Sequence, residues 1–295
     1  MNGKWLITGA SGQLGGHVIR ELLRRDADAR IHAVVAPSNG AGHIAGVELV
    51  RLDLREEPAI RDTLRAVRPT IIVHAGAMTA VADAYNDPAG AQRVNVDATR
   101  VIAEQAVALG ARLVFTSTDM VFGGDRAPYR EDDPPAPLST YGRSKAAAEP
   151  FVRAAPRGLV VRAPLMYGFP LTPRNTTFGQ QVAALREGRL QRMFTDEYRT
   201  VAWLADVARA LLVLATSDLT GTVHIAGPER LSRLQMVERY AACLGVAPVI
   251  EPISRLSILT PEPRPADLSL DGSRFAAMFP AFAPGPIRAE AFATE

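Results

Sequence analysis

The stretch "TGASGQLGG", residues 8–16, decides the fold of this 295-residue chain. It follows the apolar run "KWLIT", residues 4–8, and it opens a segment in which Leu14, Val18 and Leu22 recur every four residues. An apolar run of five is typical of a buried strand, and a four-residue repeat is typical of an amphipathic helix. The chain therefore begins with a strand, a tight glycine turn and a helix.

The three glycines of this turn, Gly9, Gly12 and Gly15, have the spacing of a dinucleotide-binding loop. Gly9 permits the tight turn, Gly12 lets the backbone approach a pyrophosphate, and Gly15 lets the helix pack closely on the strand. The helix N-terminus then presents unpaired N–H groups to the anion. The alternative is a glycine turn without a ligand. A phosphate-loop NTPase is excluded because the Gly-Lys-Ser/Thr ending is missing.

Strand-like and helix-like segments alternate beyond this first unit. Apolar runs predict strands at 30–36, 46–54, 70–77 and 111–118, and helical periodicity predicts helices at 59–69 and 89–110. Regular alternation of this kind indicates parallel strands covered by helices on both faces. We predict an α/β fold with a Rossmann-type, doubly wound parallel sheet.

The alternation loosens after residue 165, and this change predicts a second lobe. Residues 1–165 form the expected dinucleotide-binding domain, to which 198–228 return as a helix and a strand. Residues 166–197 and 229–295, which are rich in proline turns, form a smaller, discontinuous C-terminal α/β substrate lobe.

Composition narrows the classes of partner. Hydrophobic residues make up 47% and charged residues 22%, and 33 Lys and Arg against 31 Asp and Glu give a net charge of +2. No basic cluster suggests a nucleic-acid groove, and no apolar run is long enough to cross a membrane. We expect a small-molecule partner and a cytoplasmic location, since the first residues pass straight into a strand. The sequence also leaves open whether the chain forms a homodimer.

Cysteine and histidine usage favours structural roles. Cys243 is the single cysteine and lies in an apolar helical pattern, so we interpret it as a core thiol. The five histidines lack metal-ligand spacing, and His74 and His224 fall in strand-like runs, where a core histidine with satisfied hydrogen bonds is common. We predict no metal site.

The end of the second strand bears on the choice of dinucleotide. It reads "VVAPSN", residues 34–39, without the acid that binds the ribose 2′-hydroxyl of NAD. Its absence favours NADP(H) over NAD(H), although no arginine follows to hold a 2′-phosphate. Asp53 is a candidate for the adenine edge, and the alternative is a strand-end aspartate that caps the next turn.

The stretch "STYGRSKAAAE", residues 139–149, places Tyr141 and Lys145 one helical turn apart. Side chains at this spacing are neighbours, so the two could form an ordinary surface pair. They could also be a proton donor and an ammonium that lowers its pKa. The spacing of Tyr141 and Lys145 alone leaves both interpretations open.

Eight motifs in order resemble the extended short-chain dehydrogenase/reductases: "GASGQLG", "HAGAMTAV", "VN" at Val94-Asn95, "STDMVF", "YGRSK", "RAPLMYG", "DEYRT" and "RPADLSLD". More narrowly, they resemble the branch that contains dTDP-4-dehydrorhamnose reductase. The resemblance implies that Thr118, Tyr141 and Lys145 are the catalytic residues. Tyr141 would protonate the substrate carbonyl while a hydride arrives from the nicotinamide, Lys145 would lower the pKa of Tyr141 toward neutrality, and Thr118 would hold the carbonyl oxygen.

The resemblance also implies binding residues. Those implied for the cofactor are Gly9, Ser11, Gly12, Gln13, Leu14, Gly15, Asp53, Leu54, Ala75, Gly76, Ala77, Asn95, Tyr141 and Lys145, and those for the substrate are Thr79, Asp119, Arg199 and Arg264. Because arginine suits bidentate contact with phosphate, we expect Arg264, with Arg199, to bind the diphosphate of a sugar nucleotide. The alternative for Arg264 is a surface pair with Asp267.

The activity implied is NAD(P)H-dependent reduction of a keto group on a nucleotide-activated deoxysugar or a related small metabolite. Val201 and Ala202 depart from the Pro-Thr of the branch, which leaves the sugar open. One alternative is an NAD-dependent sugar-nucleotide epimerase or dehydratase, although dehydratases usually carry Asp-Glu after the catalytic threonine, where this chain has Asp119 and Met120. Another is a non-catalytic, NADP-binding regulatory subunit, as in methionine adenosyltransferase.

Overall fold

The computed structural model describes residues 3–37 and 46–293. Ser38 and Asn39, at the strand end that bears on the cofactor, lie outside these ranges. The strands are β1 (Lys4–Thr8), β2 (Arg30–Val35), β3 (Val47–Arg51), β4 (Ile71–His74), β5 (Arg112–Thr118), β6 (Gly158–Ala163), β7 (Met166–Tyr167), β8 (Gln191–Phe194), β9 (Tyr198–Arg199), β10 (Ala202–Trp203), β11 (Gly221–His224), β12 (Leu231–Ser232) and β13 (Ile250–Ile253). The α-helices are α1 (Gln13–Arg25), α2 (Glu57–Val67), α3 (Val81–Asn86), α4 (Pro88–Ala91), α5 (Ala98–Leu109), α6 (Thr140–Arg153), α7 (Thr177–Arg186), α8 (Leu204–Ala215), α9 (Arg233–Leu244) and α10 (Ser273–Met278).

Seven of these strands form one parallel sheet in the order β11-β6-β5-β4-β1-β2-β3. The order reverses direction between β1 and β4, so a crevice opens beyond the carboxyl ends of these two strands. In open α/β sheets, ligands bind at such a reversal. The prediction of a Rossmann-type, doubly wound sheet is confirmed.

Helices cover both faces of the sheet because its strands are apolar on both sides. On one face α1 packs against α8, and Val18, Leu22 and Leu211 are fully buried there. On the other face α2, α5 and α6 pack around Ile60, Val101 and other apolar side chains. Every residue of β5 is buried, which holds the end of this central strand in a fixed position.

The helix predicted over residues 89–110 is not regular along its length. It begins as α4, passes through a π-helical turn at Gln92–Asp97, and continues as α5 to a left-handed Gly110 with φ +65°. A π turn adds one residue without changing the apolar pattern much, so periodicity does not show it. Single π turns often lie at functional sites, and Asn95 lies in this one.

The C-terminal part adds short strand pairs and an aromatic core. The pairs are β7 with β10, β9 with β12, and β8 with β13. Phe178 of α7 and Tyr240 of α9 pack with Tyr167 and Phe292 in this core. Strand β11 lies beside β6 in the main sheet, while the positions of the domain boundaries stay a prediction.

The two histidines predicted to be structural are fully buried and hydrogen-bonded, which confirms that prediction for His74 and His224. Cys243 differs from its prediction, since it is only partly buried on α9. Within residues 3–37 and 46–293, no helix has both the length and the apolar character that a membrane crossing requires.

Candidate active site

The glycine turn contacts the end of β4 directly, backbone to backbone. Gly9 has φ +68°, and a side chain there would place its Cβ 2.8 Å from the carbonyl carbon and oxygen of Ala75. Only glycine satisfies both the left-handed backbone and this contact. The carboxyl ends of β1 and β4 therefore meet at the reversal point of the sheet.

The same turn shapes the start of α1. The Gly12 N–H donates to the Gly9 carbonyl at 2.8 Å, and a Cβ on Gly15 would lie 2.2 Å from the Gly9 oxygen. Helix α1 has no side-chain cap and no acidic residue in its first turn, which includes Gln13 and Leu14. Its first N–H groups and the positive end of its dipole suit the pyrophosphate of a dinucleotide.

The segment after β4 lies beneath this turn. The Gly76 N–H donates to Thr8 Oγ1 at 2.9 Å, and a Cβ on Gly76 would lie 2.8 Å from Leu54 Cδ1. Asp53 accepts from the Arg55 backbone N–H at 2.9 Å and forms an ion pair with its guanidinium at 2.6 Å. Asp53 thus caps the next turn, as in the structural alternative, and its adenine contact stays a prediction.

Thr118 is the last residue of β5 and lies at the carboxyl edge of the parallel sheet. Its hydroxyl donates to Asp119 Oδ1 at 3.0 Å and accepts from the Met120 N–H at 3.1 Å, so its position is set from both sides. Helix α6 begins next to it, where the Ser139 side chain caps the helix by accepting from the Gly142 N–H. The partly buried Tyr141 lies in the first turn of this helix, close to Thr118 and Asp119.

The pKa of Tyr141 moves in the direction opposite to the sequence-based expectation. Burial raises it, the nearby Asp119 carboxylate raises it further, and the hydrogen bond with Thr118 opposes both. The expected lowering by Lys145 is therefore wrong for the ligand-free chain. The physical reason is that both the partial loss of water around the phenol and the neighbouring carboxylate disfavour a phenolate.

Lys145 is fully enclosed, with 2% of its surface exposed, so the surface-pair reading is wrong. Its ammonium lies 4.0 Å from the centre of the Phe115 ring, a cation–π contact. Burial lowers the pKa of Lys145 to about 7, against the opposing charge of Glu149. Across the described ranges, no oxygen accepts a hydrogen bond from Nζ, which leaves its N–H groups for a ligand such as a ribose hydroxyl.

Asn95 joins the π turn to helix α6. Its Oδ1 accepts from the Met78 N–H at 2.8 Å, and its Nδ2 donates to Ser144 Oγ at 2.9 Å. Ser144 Oγ in turn donates to the Tyr141 carbonyl at 2.8 Å. Asn95 therefore positions two parts of the site: the segment after β4, which includes Met78 and the exposed Thr79, and, through Ser144, the backbone of Tyr141.

Ion pairs connect the other predicted substrate residues. Arg199 Nε lies 3.4 Å from Asp119 Oδ2, and Arg199 Nη2 lies 3.4 Å from the buried Glu197. Arg264 donates to the same Glu197 carboxylate at 2.6 Å. Asp267 pairs with Arg230 instead, so the predicted alternative partner of Arg264 is wrong.

Sequence reasoning missed three carboxylates that organise the site. Glu149 is fully buried and accepts hydrogen bonds from Ser117 and Arg162, and Glu197 forms ion pairs with Arg199, Arg233 and Arg264. Glu262 accepts from the Thr140 N–H at 2.6 Å and so reaches the start of α6. Only Glu149 carried a local signal, since it follows Lys145 by one helical turn.

Comparison with known proteins identifies the family. The model of the RmlD substrate binding domain matches residues 3–285 of the chain. The chain belongs to the RmlD substrate binding domain family. This finding confirms the resemblance drawn from the ordered motifs.

Relatives of this RmlD family member carry two kinds of name. A Streptomyces griseus protein named dTDP-4-dehydrorhamnose reductase is 32% identical over 284 residues, 93% of this chain and 87% of the relative. Methionine adenosyltransferase 2 subunit beta of Pongo abelii is 30% identical over 298 residues, 92% of this chain and 81% of the relative. A solved dTDP-4-dehydrorhamnose reductase from Bacillus anthracis, in complex with NADP, has a TM-score of 0.82 and 25% identity, covering 94% of this chain and 93% of that one.

Proposed function

We propose that this chain is an NAD(P)H-dependent reductase of a keto group on a nucleotide-activated sugar, with Tyr141 as the general acid. The observation that carries this proposal is the grouping of the partly buried Tyr141 with the buried Thr118 and Lys145, together with a glycine turn that suits a pyrophosphate. A nicotinamide dinucleotide, when bound, supplies the hydride.

The chain's own residues supply the proton and the geometry. The Tyr141 phenol, hydrogen-bonded to Thr118, donates its proton to the carbonyl oxygen as the alkoxide develops. Thr118 is positioned by the Met120 N–H, and its hydroxyl, which donates to Asp119 in the ligand-free chain, would turn its proton to the carbonyl oxygen and set the position of that oxygen. The Lys145 ammonium, one helical turn after Tyr141, would hold the ribose of the bound dinucleotide.

A raised pKa of Tyr141 is compatible with reduction. Reduction starts from the protonated phenol, and burial together with Asp119 keeps this form populated throughout the neutral range. A bound ligand and the charged form of Lys145 would stabilise the phenolate that remains after proton transfer. The same site would run less readily in the direction of alcohol oxidation, which begins from the phenolate.

The substrate class rests on the relatives and on the arginines of the lobe. Proteins named as reductases of a dTDP-sugar cover nearly the whole chain. Arg199, Arg233 and Arg264 surround Glu197, and Arg199 also pairs with Asp119, so three guanidinium groups face two carboxylates and positive charge is left for an anionic group. We therefore propose that Arg264, with Arg199, binds a diphosphate, and that NADP(H) is preferred over NAD(H), as the NADP complex of the Bacillus anthracis relative suggests.

Two other functions compete with this proposal. The relatives named methionine adenosyltransferase 2 subunit beta favour a non-catalytic, dinucleotide-binding regulatory subunit. Such a subunit does not require the Thr118, Tyr141 and Lys145 set. An epimerase or dehydratase would return its cofactor to the starting redox state after each turnover, whereas a reductase consumes NAD(P)H in proportion to substrate.

The deciding experiment is a substrate panel. Purified protein is mixed with NADPH or NADH and with keto-sugar nucleotides and free ketones, and dinucleotide oxidation is followed by absorbance. Stoichiometric oxidation with a keto-sugar nucleotide supports the reductase. Tight dinucleotide binding without oxidation of any substrate would favour the regulatory subunit, and a product isomer without net oxidation would favour the epimerase.

Arg264→Ala tests the diphosphate contact, and Arg230→Ala is its matched control. Both arginines are part-exposed and pair with a carboxylate of the lobe, but Arg230 pairs with Asp267. Arg264→Ala should raise KM for a nucleotide-linked substrate about tenfold or more, as expected for loss of a charged hydrogen bond, while kcat changes little. Equal KM values in the two variants would show that Arg264 does not bind the diphosphate.

A further inference from the structure

His74 ends β4 directly below the proposed dinucleotide site, and the mechanism above does not use it. Its ring is fully buried, and both ring nitrogens have hydrogen-bond partners. Nδ1 lies 2.7 Å from Thr8 Oγ1, and Nε2 lies 3.0 Å from Thr99 Oγ1. Thr8 ends the strand that leads into the glycine turn, and Thr99 follows the π turn that contains Asn95.

The two threonines determine which nitrogen carries the proton. Thr99 Oγ1 donates its only proton to the Asn95 carbonyl at 2.7 Å, so it can only accept from His74. Thr8 Oγ1 accepts from the Gly76 N–H at 2.9 Å and has its own proton left to donate to His74. The ring must therefore be a donor at Nε2 and an acceptor at Nδ1.

These bonds form one directed chain that joins the end of β1, the end of β4 and the start of α5. It runs from the Gly76 N–H through Thr8 and His74 to Thr99 and the Asn95 carbonyl. The Asn95 side chain continues through Ser144 to the Tyr141 carbonyl, as described above. The segment beneath the dinucleotide and the backbone of the catalytic tyrosine are thus joined through a single imidazole.

We propose that His74, as the neutral Nε2–H tautomer, is a positioning residue that sets the glycine turn and the Asn95 turn relative to each other. The proposal rests on the proposed function for its effect on hydride transfer, while the tautomer and the dinucleotide affinity do not depend on any substrate. The other tautomer would put two protons between Thr8 and Nδ1 and leave Nε2 without a donor.

Protonation of His74 would break the chain as well, because Nδ1 could no longer accept. The ring is held neutral by its surroundings, since burial lowers the pKa of His74 to about 3 and the nearby Lys145 charge acts in the same direction. Lys145 packs on Phe115, which also contacts the His74 ring at 5.5 Å between centroids. A neutral imidazole is therefore the form that fits between the two threonines and the ammonium.

The tautomer is tested by long-range ¹H–¹⁵N correlation spectra of the ¹⁵N-histidine-labelled protein without ligand, with His74→Phe used to assign its signals. We expect the pattern of a neutral ring protonated at Nε2, unchanged from mildly acidic to mildly basic solution. An Nδ1–H pattern, or a signal that titrates across this interval, would overturn the assignment.

The positioning role is tested with His74→Phe and Thr99→Val, and His224→Phe is the matched control. His224 is equally buried at the end of β11, and its hydrogen bonds lead to Tyr129 and Arg162 rather than to the glycine turn. For folded proteins, we expect the Kd for NADPH to rise and kcat/KM to fall by about ten- to a hundredfold in the first two variants, and to change little in the control.

His74→Gln separates position from simple packing. Its amide nitrogen can replace Nε2 as the donor to Thr99, so it should restore part of the NADPH affinity that His74→Phe loses. If wild type binds NADPH and folded His74→Phe binds it equally well, the inference fails. If wild type binds no dinucleotide, the proposed function fails instead, and the tautomer experiment still tests the chain of hydrogen bonds.

Discussion

Tyr141 is the residue on which the proposed chemistry depends most directly. Replacement by phenylalanine removes the acid and keeps the ring, so Tyr141→Phe should fold normally and bind NADPH with unchanged Kd. Its kcat should fall by about 10²–10⁴, the usual contribution of general acid catalysis. Tyr85→Phe, at an exposed tyrosine, is the control and should keep full activity. Normal turnover by Tyr141→Phe would assign the proton to another group.

Lys145 links the site to the stability of the ligand-free protein. Because its folded pKa is lowered from 10.5 to about 7, the unfolded chain binds more protons between these values. The free energy of unfolding should therefore rise with pH over this interval, relative to that of Lys145→Met, and the difference should be constant below about pH 7. Denaturant titrations of both proteins at several pH values measure this. A difference that stays flat above neutrality would mean that Lys145 remains charged in the fold.

At the start of α1, two adjacent glycines have very different surroundings. A Cβ on Gly15 would lie 2.2 Å from the Gly9 carbonyl oxygen, whereas on Gly16 its nearest neighbour would be Leu171 Cβ at 3.6 Å. Gly15→Ala should therefore displace the turn, destabilise the protein by roughly 1–3 kcal/mol and abolish measurable NADPH binding. Gly16→Ala should bind NADPH like wild type. Calorimetric titration measures the NADPH affinity of both variants. Equal affinities would show that the turn does not bind the dinucleotide.

The start of α6 depends on a carboxylate from the C-terminal part of the chain. Glu262 accepts from the Thr140 N–H at 2.6 Å, from its hydroxyl at 2.8 Å and from Arg143 at 2.9 Å. Loss of such a helix-end acceptor costs roughly 0.5–2 kcal/mol, and we expect Glu262→Ala to lose this much stability and to lower kcat, since Tyr141 follows directly.

Glu251→Ala is the control for this prediction. Its carboxylate is exposed and forms only a surface pair with Arg192 at 2.9 Å. Its unfolding free energy should change by less than about 0.5 kcal/mol. Glu262→Gln, which keeps an acceptor oxygen, should recover most of the stability. Thermal or denaturant unfolding that ranks Glu262→Ala with Glu251→Ala would contradict the coupling.

The whole molecule should be sensitive to acid because its buried histidines are neutral. Burial lowers the pKa of His224 from 6.5 to about 4, with Arg162 acting in the same direction. Between these values the unfolded chain binds the extra proton, so stability contributed by the neutral ring is lost as pH falls, up to about 3 kcal/mol. His224→Gln should lose less stability than wild type between pH 6.5 and about 4. Urea titrations across this interval measure the difference, and parallel pH profiles would show that His224 is protonated in the fold.

Local sequence determined the main elements of this protein. The glycine turn, the apolar runs and the four-residue repeat of α1 are patterns within a few residues, and backbone sterics and side-chain burial act at that range. They predict the parallel sheet, the helix that carries Tyr141 and Lys145, and the structural role of His74. The ordered motifs also indicate the family.

Tertiary structure alone decided how these elements meet. The raised pKa of Tyr141, the pairing of Arg264 with Glu197 and the contact of Glu262 with Thr140 join residues that are far apart in the chain. All three features depend on which side chains are buried together and on the water that burial removes. The residue spacing within one segment determines neither of these two factors. The directed hydrogen bonds through His74 arise in the same way, because the ends of β1 and β4 and the start of α5 must pack together before one imidazole can join them.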